Sequence, residues 1–501
     1  LTSEDYGRKQ RANGQTYEML KERQLNMSKR TIVLYFDFTK GIEYYQILVN
    51  KLNNSIRILN SQNDSVNIVL EFLDSDQVYR VLLSPQGPVV PVYISYPIGD
   101  EITKENRVRK LLEFAREQTK ADRYTFHVYT GHIPHIGFVR NLLEELYQQF
   151  VNNDVVKWFA QHQGYDAPGE KSLLDLLPAD LKGILPSPDM ISIPDHHLSM
   201  KTFCQDLRHF NNAAGHAVNM LDSVVLYCCM GGSVECLYEF QDTGVAYVVG
   251  ASNLIQNTLG QPTVDGYQCL KWIDELILDP GMVPAALCES VVSVCRTYFQ
   301  VCSLSFQNDP GINLYCVSRM RDVVNCIDKL SGQFECLTNN GDGSGPSPIG
   351  VLDLAVQSVI NINAIPGLLI KSTSNPPEFI FSYVDINLWL NELGKVIASS
   401  HVEHSVRDKI IVLIEELQTA LEAVLVKPLA ECPHREYGSR SMLIGIPNFI
   451  DNKSSHFLAD LEPYFNCTDR NRDGFDIYCQ DAAPQLVEML KGLVKTYSNQ
   501  S

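Results

Sequence analysis

Apolar residues along the 501-residue chain gather first into short continuous runs and then into helical stripes. Thr31 to Phe36 (TIVLYF) and Val66 to Phe72 (VNIVLEF) are β-branched and aromatic runs of strand length, the first ending at Asp37. Tyr124 to Tyr129 and Val245 to Val249 repeat the pattern. So does Val224 to Leu226, inside the stretch Ser223 to Leu237 (SVVLYCCMGGSVECL). Such runs suit strands buried on both faces of a parallel sheet. Between them, Ile42 to Leu59, Asn106 to Gln118, Val139 to Val151 and Phe203 to Asn219 predict helices. Val108, Leu111, Leu112 and Ala115 make one such stripe. Val78 to Leu83 alternates and predicts an outer strand or hairpin arm, while the proline-rich Val89 to Tyr96 reads as irregular. Alternating strand and helix implies an α/β fold, with helices covering a mostly parallel central sheet.

Two stretches depart from this rhythm. Gln163 to Met200 holds Pro168, Pro178, Pro186, Pro188 and Pro194 and predicts a long irregular loop. Past Gly266 the pattern turns mainly helical, with a long amphipathic helix over His401 to Val426 and a late strand at Met442 to Ile446. The expected organisation is a lead-in over 1–28, an α/β domain over 29–280 containing the 163–200 loop, and a mainly helical accessory region over 281–501. A Gly/Ser/Pro linker at 339–348 interrupts the last.

Charge and cysteine usage narrow the function classes. A net charge of −18 argues against nucleic acid and anionic membranes as partners, since both attract basic surfaces. No apolar run reaches the roughly eighteen residues of a membrane span. The fourteen cysteines include no CxxC pair, so zinc ribbons and thioredoxin-type chemistry have no support. Cys288, Cys295 and Cys302 share one face of a predicted helix and read as core packing. The opening on Leu1, with Asn-x-Ser/Thr triplets headed by Asn26, Asn53, Asn63, Asn452, Asn466 and Asn499, leads us to expect a secreted or lumenal protein. Asp469, Asn471 and Asp473 open a calcium-loop pattern, but the twelfth position is Gln480 rather than Glu. A polar turn is expected there, with calcium the one candidate ion and no cofactor required.

The chemistry concentrates at two predicted strand ends. His132 follows Tyr124 to Tyr129, and Cys229 closes the run Val224 to Leu226 before Gly231, Gly232 and a helix that Ser233 can cap. Parallel strands end at the same sheet edge, where open α/β sheets place ligands. A thiol and an imidazole there form a candidate nucleophile and base. On residue type alone, Cys228 competes with Cys229, and His135 with His132.

These segments resemble the clostripain family of cysteine peptidases, relatives of caspases, legumains and gingipains. ADRYTFHVYTGHIPHIG is similar to the family's strand leading to the catalytic His-Gly, and LDSVVLYCCMGGSVECLYEF to its block bearing the nucleophile. VAYVVGAS, SPIGVLDL and FSYVDINLWLNEL follow in the family's order. The resemblance implies a caspase-like three-layer sandwich with a mostly parallel sheet and a cysteine endopeptidase acting on polypeptides. It places the nucleophile on Cys229, the base on His132, and the oxyanion amides at Gly131, Ile133 and Cys229. It also implies maturation by cleavage between the His and Cys segments. Four positions depart from the family pattern. Tyr227 stands where relatives carry the Asp that recognises Arg or Lys, Ser252 and Asn253 where acidic residues follow the next strand, and Ile133 where the family has Gly. A neutral pocket, without strict Arg or Lys preference, is therefore expected. The alternative is an inactive homologue that binds peptides or proteins.

Overall fold

A computed structural model describes residues 29–39, 42–59, 65–74, 77–99, 101–103, 106–132, 200–213, 220–229, 231–252, 270–302, 312–339, 365–367, 381–399, 402–427, 442–447 and 482–498. The strands are β1 (Arg30–Thr39), β2 (Val66–Asp74), β3 (Gln77–Leu83), β4 (Tyr93–Pro97), β5 (Arg123–His132), β6 (Leu221–Cys229), β7 (Tyr247–Ala251), β8 (Ile312–Cys316), β9 (Ile365–Gly367), β10 (Phe381–Asp385), β11 (Leu425–Lys427) and β12 (Leu443–Pro447). The helices are α1 (Ile42–Leu59), α2 (Arg107–Thr119), α3 (Met200–Asn212), α4 (Val234–Glu239), α5 (Trp272–Leu278), α6 (Pro284–Cys302), α7 (Met320–Asn339), α8 (Ile386–Ser399), α9 (His404–Val424) and α10 (Pro484–Ser498).

Nine strands form the main sheet, in the order β11-β8-β7-β6-β5-β1-β2-β3-β4. The five central strands, β7 to β2 in that order, are mutually parallel, and the outer strands attach antiparallel. Alternate residues on the central strands face two separate cores, which is why these runs are predominantly apolar. On one face Ile32, Leu34, Tyr227 and Val249 pack with α1, α5 and α6. On the other, Val33, Phe126, Val224 and Leu226 pack with α2, α3 and α7, and α8 to α10 lie against the same core. The fold is thus a three-layer α/β sandwich with a mostly parallel sheet, followed by a mainly helical C-terminal region.

Several expectations shift. Residues 93–97 form the edge strand β4 where an irregular stretch was expected; an edge tolerates Pro97 because one side of the strand makes no ladder. The strand expected at Val245 to Val249 runs Tyr247–Ala251, and the helix expected to reach Asn219 ends at Asn212. Residue 280 is no edge of the sheet, because β8 and β11 extend it and α6 covers one face. β12 instead joins β10 and β9 in a separate three-stranded sheet. Asn53 is buried within α1 and donates to the Val89 carbonyl at 2.9 Å, so the side chain that heads its triplet is packed rather than presented. The expected lead-in over 1–28, the helix over 139–151, the loop over 163–199 and the linker positions 340–348 lie outside the described residues. Among those described, no helix is long and apolar enough to cross a membrane.

Candidate active site

The two strands that carry the candidate nucleophile and base are neighbours, and His132 and Cys229 are register partners at their carboxyl ends. The ladder is irregular just before this pair. From Tyr129↔Tyr227 to His132↔Cys229, β5 advances three residues while β6 advances two. One extra residue is accommodated on β5, a bulge of the kind that re-aims a side chain beside a site. Gly131 lies in this bulge. β1 shows a similar shift at the same edge, between Tyr35 and Thr39.

The residues leading to Cys229 are fixed by both cores. Cys228 is 1% exposed, packed on the α2–α3 face, so the thiol that competes with Cys229 is sealed in the interior. Tyr227 enters the opposite core, its ring stacked on Tyr129 with centroids 4.3 Å apart. Beneath it lies Cys295, whose thiol burial pushes up to about 12, opposed by a hydrogen bond with Tyr227. Cys288 is likewise raised by burial to about 12, and Cys236 is raised by burial and by Glu239 and Glu235. These thiols are inert at neutral pH. The expected core role of the α6 stripe holds at Cys288 and Cys295.

The turn after Cys229 needs its glycines. A Cβ on Gly232 would run into the Tyr315 hydroxyl and come within 3.1 Å of the Ala251 carbonyl; one on Gly250 would lie 2.6 Å from the Gly231 oxygen. Ser233 then caps α4, its hydroxyl accepting from the Cys236 amide at 3.3 Å. Ser252, expected at the specificity pocket, is fully buried and accepts from Asn313 Nδ2 at 3.3 Å. Ile133, Asn253 and the calcium-loop residues Asp469, Asn471 and Asp473 lie outside the described residues. Among the described residues, no cluster of three metal-ligating side chains occurs.

One constellation near this edge escapes a reading of the sequence. Glu71 in β2 is fully buried and accepts from Arg80 Nε at 2.8 Å and Arg107 Nε at 3.1 Å. Arg107 Nη1 also donates to Asp37 at 3.1 Å, and its guanidinium lies 4.8 Å from the Tyr35 ring centroid. Burial works against the Arg107 charge, yet Tyr35, Glu71 and Asp37 together raise its pKa above the ordinary value. The only trace in the sequence is a Glu inside an apolar run. Its partners sit nine and 36 residues away.

No family model matches the chain, and no curated protein matches it. Among solved structures it is similar to C11 proteases, the clostripain family. One is an inactive zymogen C11 protease from Parabacteroides distasonis, at 9% identity over 89% of this chain and 99% of the other, with a TM-score of 0.43. Another is a secreted C11 cysteine protease from Bacteroides thetaiotaomicron in complex with an irreversible peptide inhibitor, at 10% identity over 91% and 99%, TM-score 0.45. A third, the Bacteroides thetaiotaomicron protease "iotapain", shares 11% identity over 79% and 85%, TM-score 0.40. Likeness at this level carries no chemistry with it.

Proposed function

We propose that this protein is a cysteine endopeptidase working through Cys229 and His132. The observation that carries the reading is their register pairing across β5 and β6 at the carboxyl edge of a parallel sheet, directly after a bulge. Adjacent strands lie about 4.8 Å apart, close enough for a thiol and an imidazole to exchange a proton. His132 takes the thiol proton, and the Cys229 thiolate attacks the scissile carbonyl carbon. Backbone amides at Gly131, Ile133 and Cys229 receive the oxyanion. Collapse of the tetrahedral intermediate breaks the C–N bond, and the His132 imidazolium gives its proton to the leaving amine. Water, deprotonated by His132, then hydrolyses the thioester and restores the thiol. No cofactor enters this cycle. A secreted location and self-cleavage between the His and Cys segments belong to the same reading.

Specificity follows from Tyr227. Tyr227 puts a neutral side chain where relatives carry Asp, and Tyr129, His127 and Cys295, which pack on it, are uncharged as well. A guanidinium or ammonium buried there without a partner loses several kcal/mol, so a neutral residue is preferred before the cut. The same packing favours a second reading, an inactive homologue that binds peptides, in which Tyr227 serves only the core.

A panel of peptide acyloxymethyl ketones with varied first residues, followed by mass spectrometry, separates the two. The expected result is covalent modification of Cys229 by probes with neutral first residues, abolished in Cys229→Ala. Turnover of matching peptides should fall by roughly four orders of magnitude or more in that variant. Modification of another cysteine refutes the nucleophile; a dominant Arg or Lys signal refutes the pocket. Binding without modification favours the inactive homologue.

A further inference from the structure

The turn after Cys229 is held from three directions. From β7, the Ala251 carbonyl accepts from the Gly232 amide at 2.8 Å. From β8, the Tyr315 hydroxyl fills the space a Gly232 side chain would need, and Asn313 Nδ2 donates to that hydroxyl at 3.3 Å. The third set comes from β12, in the small sheet. The Leu443 amide donates to the Gly232 carbonyl at 3.1 Å, and Ser233 and Leu443 form an isolated parallel bridge. The Gly445 amide donates to Glu235 Oε1 at 2.6 Å, across 210 residues of sequence.

Glu235 is fully buried in the first turn of α4. A carboxylate there pays desolvation that an apolar side chain would avoid. What it supplies is a strong acceptor for one particular amide of β12. The segment it holds needs such support, because Gly231 and Gly232 have no side chains with which to fix themselves. An oxyanion donor displaced by a fraction of an ångström loses its value, and Cys229, one such donor in the reaction above, directly precedes this turn.

We propose that Glu235 is a positioning residue: through Gly445 it ties the C-terminal three-stranded sheet to the Gly231–Gly232 turn and so sets the Cys229 amide for oxyanion binding. The small sheet is then a working part of the site. This rests on the peptidase reading for its catalytic consequence, not for the tie itself.

The test compares Glu235→Ala and Glu235→Gln with the wild type in three measurements. Amide hydrogen exchange reads the peptide covering 229–237. Peptide turnover gives kcat and KM. The alkylation rate of Cys229 by iodoacetamide, a direct displacement with no oxyanion, reads thiolate access alone. In Glu235→Ala, exchange in this peptide should rise about tenfold while β1 and β5 stay protected, and kcat should fall about a hundredfold, the scale of one oxyanion donor. KM and the alkylation rate should stay within about twofold. Glu235→Gln keeps an acceptor without its charge and should show a rise in exchange of about threefold, with most of kcat retained. Unchanged exchange in both variants overturns the tie. A parallel loss of turnover and alkylation, or equal losses in the two variants, overturns the positioning role. If Glu235→Ala does not fold, unchanged exchange in Glu235→Gln is the overturning result. A wild type that neither turns over peptides nor takes the ketone probe removes the peptidase reading, while the exchange comparison still decides the tie.

Discussion

His127 shows how a single ring can set the acid limit of this fold. It is fully buried, stacked parallel on Trp272 at 4.3 Å between centroids, with Nε2 3.2 Å from the Thr125 hydroxyl. Burial pushes its pKa down to about 3, so the ring is neutral in the folded protein. An unfolded histidine takes a proton near pH 6.5. Between those values the unfolded chain binds a proton that the folded chain refuses. Stability is therefore full above about pH 6.5 and lost progressively toward pH 3, by up to about 5 kcal/mol on the scale of one pKa unit per 1.4 kcal/mol. Asp206 acts in the opposite sense: burial raises its carboxyl from 3.8 to about 6, and between those values the folded state is the better proton binder. A comparison with His127→Gln isolates the histidine. Urea midpoints measured from pH 7.5 to 4 should fall less steeply in the variant, even though loss of the stacked ring lowers its midpoint at pH 7.5. Equal slopes would show that His127 charges inside the fold. None of this is visible in the sequence, where His127 is one polar letter in an apolar run; what neutralises it is burial, to which rings far along the chain, Tyr227 and Trp272, contribute.

At the scale of elements, the runs that face two cores are the ones a sequence pattern finds, because most positions on them are apolar. The expected central strands became β1, β2, β5, β6 and β7, and α1 spans Ile42–Leu59 as its stripe predicts. What hides is pairing between elements. Arg80 faces Glu71 across the β2–β3 ladder, and Arg107 at the start of α2 completes the group by reaching Glu71 and Asp37. Spacing along the chain cannot reveal an ion cluster made by three strands and a helix. Its energetic role is asymmetric: the intact group offsets its own desolvation, but removing one member strands charges in the core. Arg107→Ala should lower stability by about 3 to 5 kcal/mol, read as a drop in the urea midpoint. Adding Asp37→Asn in the same chain should recover part of the loss, since Asp37 loses its ion pair with Arg107 whereas Glu71 keeps Arg80. A loss below about 1 kcal/mol would mean that water reaches Glu71 and Asp37.

On the scale of the whole molecule, the main sheet divides in sequence where it divides in space. Strands β1 to β5 fill one half; β6, β7, β8 and β11 fill the other. The halves meet only along the β5–β6 ladder within the sheet, and His132 and Cys229 face each other across that seam. The segment between the halves, 133–199, includes the proline-rich stretch where the sequence leads one to expect cleavage. A cut there leaves two fragments joined by much more than one ladder. Tyr129 stacks on Tyr227, His127 on Trp272, and Phe126 packs near Phe203, each pair crossing the seam. Thr125 and Ser223 share a hydrogen bond at 2.8 Å, and Arg30 reaches Asp222 at 3.5 Å. Both cores contain residues from either side. A chain carrying a single specific-protease site between 163 and 199 should therefore, after complete cutting, elute from gel filtration as one species with both fragments and retain ketone labelling at Cys229. The fragments should part only in denaturant, and at a midpoint close to that of the uncut chain. Separation in plain buffer would mean that chain continuity, rather than the seam, holds the thiol and the imidazole together.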